Sequence, residues 1–323
     1  MTNDFQPAAT IDVLQKRALI IRRIRDFFES RGYFHVETPA ISRDIVVDRY
    51  LEPIRVNNSG LLPAEAASTL FLQTSPEFAM KRIVAAGAKA IYQIGPVFRG
   101  EENGTLHNPE FTMLEWYKTG QTTEEAIEMI GELVEAAIGR TGTQGRSYGS
   151  VFEEIAQLDP HRAAIEELKE AANRLGINFE ETGNEDRDHW LNLILTHSIE
   201  PGLGIPAPEI IYDWPASQSA LARLKGEPQV ADRFELYIDG VELANGYNEL
   251  LDAGILERRN EENNRLRKMD GREELPSISR LLEAMRSGMP QCCGVALGVD
   301  RLVMVGLGLS SIDQAMAFPI SRA

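Results

Sequence analysis

Between Phe98 and Tyr117 the chain reads FRGEENGTLHNPEFTMLEWY, and no other stretch constrains the fold as tightly. Two strand-like runs, IYQIGPVFRGE and PEFTMLEWY, flank the polar loop ENGTLHN, which predicts an antiparallel hairpin with a long connection. Strand alternation then sorts the side chains between two faces. One parity holds Arg99, Glu101, Phe111, Met113, Glu115 and Tyr117; the other holds Phe98, Gly100, Thr112, Leu114 and Trp116. A buried face should be apolar, and a wet face needs no aromatic rings. The first parity is neither, and its composition is that of a binding wall.

Each residue on that wall has a chemical reading. The planar guanidinium of Arg99 can engage two phosphate oxygens at once. Phe111 can lie against a flat base, and Glu101 can accept hydrogen bonds from an amino group on it. A carboxylate at Glu115 suits a cationic ligand group, which the Tyr117 hydroxyl can orient. Singly, such residues are more often structural, Arg99 pairing with Glu101 at a solvated edge. Five of them on one face reverse that expectation.

A second hairpin is written in RFELYIDGVELANGYNEL, where Asp239-Gly240 between alternating runs marks a tight turn. Glu242 and Glu249 are an odd seven positions apart, so a regular strand puts them on opposite faces. A bulge at Asn245-Gly246 would bring them to one face. Paired there they would repel unless a cation were present, and Mg²⁺ bridging phosphates is the natural one. The blander reading is two exposed strand acids. Near the C-terminus, GVALGVDRLVM runs from a glycine-rich strand into a helix whose first turn carries Arg301, placed to hold a far phosphate or else to pair with Asp300. His107 and Asn108 sit in the first hairpin's loop, where they could fold over phosphates. His35, His161, His189 and His197 show no partner spacing.

Helical periodicity covers Ile11 to Ser30 behind a loose arm at residues 1–10. LFLQTSPEFAMKRIVAAG reads as strand, turn and helix, with Ser75 as cap, Pro76 at the first helical position, Glu77 in the first turn and Gly87 at the stop. Residues 122–139 form a helix with Thr122 and Glu125 as a capping box. Further helices fall at 254–270 and in PSISRLLEAMRSG, capped at Ser277 and stopped at Gly288. Residues 140–210 are glycine-punctuated and mostly helical, an insertion. The sum is an α+β chain with an antiparallel sheet flanked by helices.

Composition removes several functions. Net charge is −16, which disfavours long nucleic acid as a partner. The adjacent cysteines, Cys292 and Cys293, cannot staple distant segments and have no metal-ligand spacing around them. They read as buried thiols in a reducing cytoplasm. No signal peptide and no run of about 18 apolar residues is present, so no membrane partner is expected.

With these residues in view, the chain resembles the catalytic domain of the class II aminoacyl-tRNA synthetases. VETPAI after the first helix resembles that class's first motif, a dimer element, and implies a homodimer. Arg99, Glu101 and HNPEF resemble its second motif, and GVALGVDR its third. HNPEFTMLEWY is close to the lysyl-tRNA synthetase version, as are TSPEF and FELYIDGVELANGYNEL. The likeness runs over residues 11–323, less well in the insertion.

The departures are informative. Lysyl-tRNA synthetases carry an oligonucleotide-binding barrel before this domain; ten residues precede Ile11 here, so no anticodon reader and no tRNA partner are expected. Ala296 and Ala244 stand where those enzymes tend to have glycine, and Ser75 where alanine is usual. This pattern is similar to stand-alone lysyl-synthetase paralogues that ligate lysine, or (R)-β-lysine, onto a lysine of elongation factor P.

That resemblance implies ATP and Mg²⁺ as cofactors, and it implies roles. Arg99 would stabilise the α-phosphate and Arg301 hold the γ-phosphate. Glu101 would read adenine with Phe111 stacked on it. Gly100, His107, Asn108, Leu243 and Gly298 would complete the ATP site. Glu242 and Glu249 would bind Mg²⁺, Glu249 also lying near the substrate. Ser75, Pro76 and Glu77 would meet the substrate's backbone-side amine; Glu115 and Tyr117 its distal ammonium. The methyls of Ala244 and Ala296 would reshape the wall where an α-amino group docks, favouring (R)-β-lysine with α-lysine a poor substrate. The competing readings are a truncated lysyl-tRNA synthetase charging tRNA, and a silent paralogue that binds lysine or adenylate and regulates another protein.

Overall fold

A computed structural model describes residues 5–61, 63, 69–178 and 186–323. Residues 1–4 of the expected arm and 179–185 of the expected insertion lie outside the described residues. The helices are α1 (Ile11–Ser30), α2 (Glu77–Ala85), α3 (Thr123–Ile138), α4 (Tyr148–Ala156), α5 (Ile165–Arg174), α6 (Arg187–Ile194), α7 (Ala253–Met269), α8 (Arg280–Arg286) and α9 (Val299–Gly306). The strands are β1 (Phe34–His35), β2 (Ile41–Ser42), β3 (Arg55–Asn57), β4 (Thr69–Leu72), β5 (Ala90–Phe98), β6 (Glu110–Thr119), β7 (Gln144–Ser147), β8 (Glu209–Pro215), β9 (Leu224–Lys225), β10 (Val230–Ile238), β11 (Val241–Asn248) and β12 (Cys292–Gly298). They form two compact units: Met1–Gln121 with Ala136–Ile138 and Leu250–Ala323, and Thr122–Glu135 with Gly139–Glu249.

In the first unit β5, β6 and β12 form an antiparallel ladder, with β1 parallel to the outer side of β5. Register fixes the two faces. Tyr92 lies opposite Trp116, and both are fully buried. Phe28, from the apolar stripe of α1, stacks on Tyr92 at 4.9 Å and tilts against Trp116 at 5.2 Å. Each such ring contributes about 1.5–3 kcal/mol by leaving water, which seals this face of β6 as core. The opposite face carries Gln93, Glu115 and Ala296 in one cross-strand row, and Gly95, Met113 and Gly298 in the next. The strand therefore presents its mixed polar and aromatic side away from the packed helix.

Local chemistry explains the helix ends. Thr10 caps α1 by accepting from the Val13 amide at 3.3 Å, and Thr122 with Glu125 forms the expected capping box on α3. Helix α2 starts at Glu77, one residue later than expected: Pro76 is the N-cap, and the Ser75 hydroxyl accepts from the Glu77 amide at 3.0 Å. Helix α8 starts at Arg280, behind Ser279 and not Ser277. Its first amide goes to the Asp44 carboxylate at 3.2 Å, an acceptor distant in sequence that no local cap predicts. The arm is not loose over residues 6–9. Ala8 and Ala9 donate to the carbonyls of Ala317 and Met316, and Arg322 donates back to Gln6 and Pro7.

In the second unit the order is β11–β10–β8–β7, with β9 also on β10. Asp239 and Gly240 adopt φ of 52° and 75°, the left-handed pair that a two-residue hairpin turn requires. Leu236 faces Ala244 while Tyr237 faces Glu242, so Leu243 is an extra residue in β11. The bulge thus exists but sits at Leu243, not at Asn245-Gly246. Gly246 has another duty: a Cβ there would lie 2.3 Å from the Phe234 ring, which packs directly on the strand. Among the described residues no helix is long and apolar enough to cross a membrane.

Candidate active site

The site face of β6 centres on Glu115, which is 1% exposed. Tyr117, two residues along the same face, donates to its Oε1 at 2.6 Å, and Ser75 donates to its Oε2 at 2.7 Å. Glu77 lies close by in the first turn of α2, where it is paired with Lys81 one turn on. Burial pushes the Glu115 carboxyl up to about 7, with Glu77 adding to the rise, against the pull of the Tyr117 and Ser75 hydroxyls and of Lys81. Ser75, Glu77, Glu115 and Tyr117, expected at two ends of a substrate, form one cluster. Ala296 lies directly across from Glu115 on β12, so its methyl belongs to this wall. Such a cluster suits an ammonium group, which would ionise the carboxyl it meets.

Further along the same strand Phe111 lies under the Arg99 guanidinium at 5.2 Å. Arg99 also donates to the Thr74 carbonyl at 3.2 Å, which ties it to the turn bearing Ser75. The bland pairing of Arg99 with Glu101 is not formed. Arg99 faces Glu102 at 3.5 Å, while Glu101 leaves strand alternation at a φ of 67° and pairs with Arg272 at 3.0 Å. Gly100 donates to the Glu52 carbonyl, and a Cβ there would sit 3.0 Å from that oxygen, so a side chain would press that carbonyl aside.

The loop between β5 and β6 is braced at its tip. Gly104 and His107 exchange backbone hydrogen bonds. Arg301, in the first turn of α9, donates to the Leu106 carbonyl at 3.1 Å and meets His107 Nε2 at 2.6 Å. Asn108 is buried; its amide donates to the Glu110 carbonyl and accepts from Ile320, joining the loop to the C-terminal segment. At Gly298 a Cβ would meet only Arg301 carbons at 3.9 Å. The fold does not demand glycine there, whereas close approach by a ligand would.

In the second unit the Leu243 bulge puts Glu242 on the same face as Asn245 and Tyr247, because Tyr237 and Glu235, opposite Glu242 and Asn245, share a face of β10. Glu249 continues that parity two residues beyond Tyr247 and forms an isolated bridge with Ala222. Ala244 does not share this face. It pairs with Leu236 and is 2% exposed, so its methyl packs into core, on the face opposite that of Glu242. Among the described residues no group of three or more metal-binding side chains occurs. Two carboxylates on one face still fit Mg²⁺, which keeps several waters and takes one or two carboxylates plus phosphate oxygens.

Several participants escaped the sequence reading. Lys81 was legible as the i+4 partner of Glu77 on a helix. Glu235-x-Tyr237 repeats the spacing of Glu115-x-Tyr117, with Tyr237 donating to Glu235 at 2.5 Å and Glu235 and Arg233 gripping Asn245. Arg272 and the buried Arg267 converge on Glu52, and despite burial the Arg267 and Arg55 guanidiniums hold that carboxyl below its usual range.

An antiparallel strand floor with one arginine over an aromatic ring, a buried carboxylate further along the same strand and a second arginine at a helix start has the features of a class II synthetase-type catalytic domain. The chain belongs to that family: residues 4–322 match the model described as tRNA synthetases class II (D, K and N). Among curated relatives, the elongation factor P–(R)-β-lysine ligase of Vibrio cholerae is 43% identical over 326 residues, covering 100% of both chains. The enzymes of the same name from Yersinia enterocolitica and Proteus mirabilis are each 42% identical, covering 100% and 99% of this chain and 99% and 98% of their own.

Proposed function

We propose that the protein is an ATP-dependent ligase that activates (R)-β-lysine as its adenylate and transfers it to a lysine side chain of elongation factor P in the cytoplasm. The observation that carries this reading is the Ser75–Glu115–Tyr117 cluster, a buried anionic seat for an ammonium on the strand face that also holds Phe111 beneath Arg99. End-to-end similarity to ligases of that name supports a protein acceptor over tRNA.

In the first step a carboxylate oxygen of the amino acid attacks the α-phosphorus of ATP. The bond to the bridging oxygen breaks, pyrophosphate leaves, and an aminoacyl-adenylate remains. No enzyme nucleophile is needed; positioning and fixed charge do the work. Arg99 stabilises charge gathering on the α-phosphate, with Phe111 stacked on adenine and Glu101 and Gly100 along its edge. Arg301, with His107 and Asn108 bracing the loop, holds the γ-phosphate, and Gly298 lets the adenosine approach the backbone. Ser75, Glu77, Glu115 and Tyr117 together seat one ammonium of the amino acid, with Pro76 in the turn beside them. Glu242 and Glu249 would hold Mg²⁺, with Leu243 setting their register, and the ion would supply positive charge against that of phosphate. In the second step the acceptor amine attacks the adenylate's carbonyl carbon, an amide forms, and AMP leaves.

The Ala296 methyl, opposite Glu115, favours an amine displaced by one carbon. A methyl-sized fit discriminates by about 1–3 kcal/mol, so α-lysine is a weak substrate. Exposed apolar residues on the first-motif elements, Leu19, Phe34 and Ile41, are the surface we assign to a second copy. Pyrophosphate exchange with each lysine isomer tests the activation step: the β-isomer should have the higher kcat/KM, and a preference for α-lysine would overturn the assignment.

A further inference from the structure

Strand β12 ends at Gly298, opposite Met113, and the chain turns at once into α9. The next amide along β6, that of Thr112, therefore meets no strand carbonyl on that side, and its partner on β5 is Pro96. It donates instead to Asp300 Oδ2 at 2.6 Å. A side chain from the first turn of α9 thus continues the β12–β6 ladder by one rung. Asp300 is 1% exposed, and its other oxygen accepts from Arg17 Nη1 at 2.6 Å. The second nitrogen of the same guanidinium donates to the Thr112 hydroxyl at 2.9 Å, and Nη1 also reaches the Ala315 carbonyl at 3.3 Å. Thr112, Asp300 and Arg17 close a ring in which every pair is bonded.

The neighbours of this ring give it a consequence. Phe111 precedes Thr112 and Arg301 follows Asp300. The two residues assigned to opposite ends of ATP, base and far phosphate, are each one peptide from the ring. We propose that Arg17, on α1, is a positioning residue that fixes the spacing between the Phe111 platform and the Arg301 guanidinium, and so governs ATP binding and adenylate formation without touching the amino acid. A lysine keeps the charge but cannot supply two fixed, divergent donors to Asp300 and Thr112. The proposal rests on the reading of Phe111 and Arg301 given above.

The test compares Arg17→Lys and Thr112→Val with the unaltered chain. The valine keeps the backbone bond to Asp300 and loses only the hydroxyl link. Three readouts are taken: ATP affinity by calorimetry with a non-hydrolysable analogue, KM for ATP and for the amino acid in pyrophosphate exchange, and thermal melting. Misplacement by about 1 Å costs about 10²-fold, so Arg17→Lys should weaken ATP by about tenfold or more, with Thr112→Val smaller in the same direction. Amino-acid KM should stay within about twofold, which a merely structural role does not predict. ATP affinity unchanged in both variants, or both KM values rising in step with lost folded fraction, would overturn it. Should the unaltered chain exchange pyrophosphate with neither lysine isomer, the activity reading fails, while the calorimetric comparison still decides the role of Arg17.

Discussion

Replacing Glu115 with glutamine removes the anionic seat while keeping its size. Two hydroxyls donate to this carboxylate and it is buried, so a bound ammonium would form a desolvated, hydrogen-bonded ion pair with it. Truncating one partner of such a pair costs about 2–5 kcal/mol, roughly 30- to 4,000-fold in affinity. The structure argues for the lower half of that range. Burial and the neighbouring Glu77 push the carboxyl up to about 7, against Tyr117, Ser75 and Lys81. The carboxyl therefore takes up a proton far more readily than an ordinary carboxylate, and seating an ammonium must release it. The sign follows: a raised pKa means the neutral form prevails below about 7, and the neutral form does not attract an ammonium. Each pH unit below about 7 should raise the amino-acid KM about tenfold, since one unit is 1.36 kcal/mol. Above about 7 the KM should level off. Pyrophosphate exchange across this range measures it: Glu115→Gln should bind the amino acid about 10²-fold more weakly near neutrality, with a flat pH profile and little change for ATP. An unaltered enzyme whose KM is the same on both sides of neutrality, or a glutamine variant with near-normal KM, would refute the reasoning.

Arg99→Ala should lose about 10²–10³ in exchange rate, as other preorganised charge donors do; a near-normal rate contradicts its assignment. Ala296→Gly should shift the kcat/KM ratio toward α-lysine by about tenfold, within the range one methyl allows, and an unchanged ratio would clear Ala296 of any part in selection. Glu242→Gln should raise the Mg²⁺ concentration needed for half-maximal exchange, and an unaltered metal titration removes it from the metal site. Gly246→Ala forces a Cβ onto the Phe234 ring and should cost about 1–3 kcal/mol in a denaturant melt, whereas an unshifted midpoint would mean the ring moves aside freely.

Features written in local pattern were legible. The span of α1, both hairpins and the α3 capping box follow from periodicity, turn residues and caps within a few positions of one another. What failed depends on partners far away in the chain. The bulge was expected at the glycine, but register against β10 sets it at Leu243, and Gly246 exists to admit Phe234. Ala244 looked like a pocket residue because of its neighbours in sequence, yet its pairing with Leu236 turns it inward. Ser277 had the chemistry of a cap, but Asp44 fixes where α8 begins. Glu101 pairs with Arg272 and Asp300 with Arg17, contacts that no spacing in the chain announces. Alternation alone put Phe111, Glu115 and Tyr117 on one face of β6, and the register against β5 keeps them there.

The central claim is transfer of an activated lysine isomer to a protein. Intact-mass analysis of elongation factor P after incubation with the enzyme, ATP and (R)-β-lysine, run beside a parallel reaction containing total tRNA, tests it most directly. The factor should gain one lysyl group on a lysine side chain, AMP should form in step, and the tRNA should stay uncharged. Aminoacylated tRNA with an unmodified factor would contradict it.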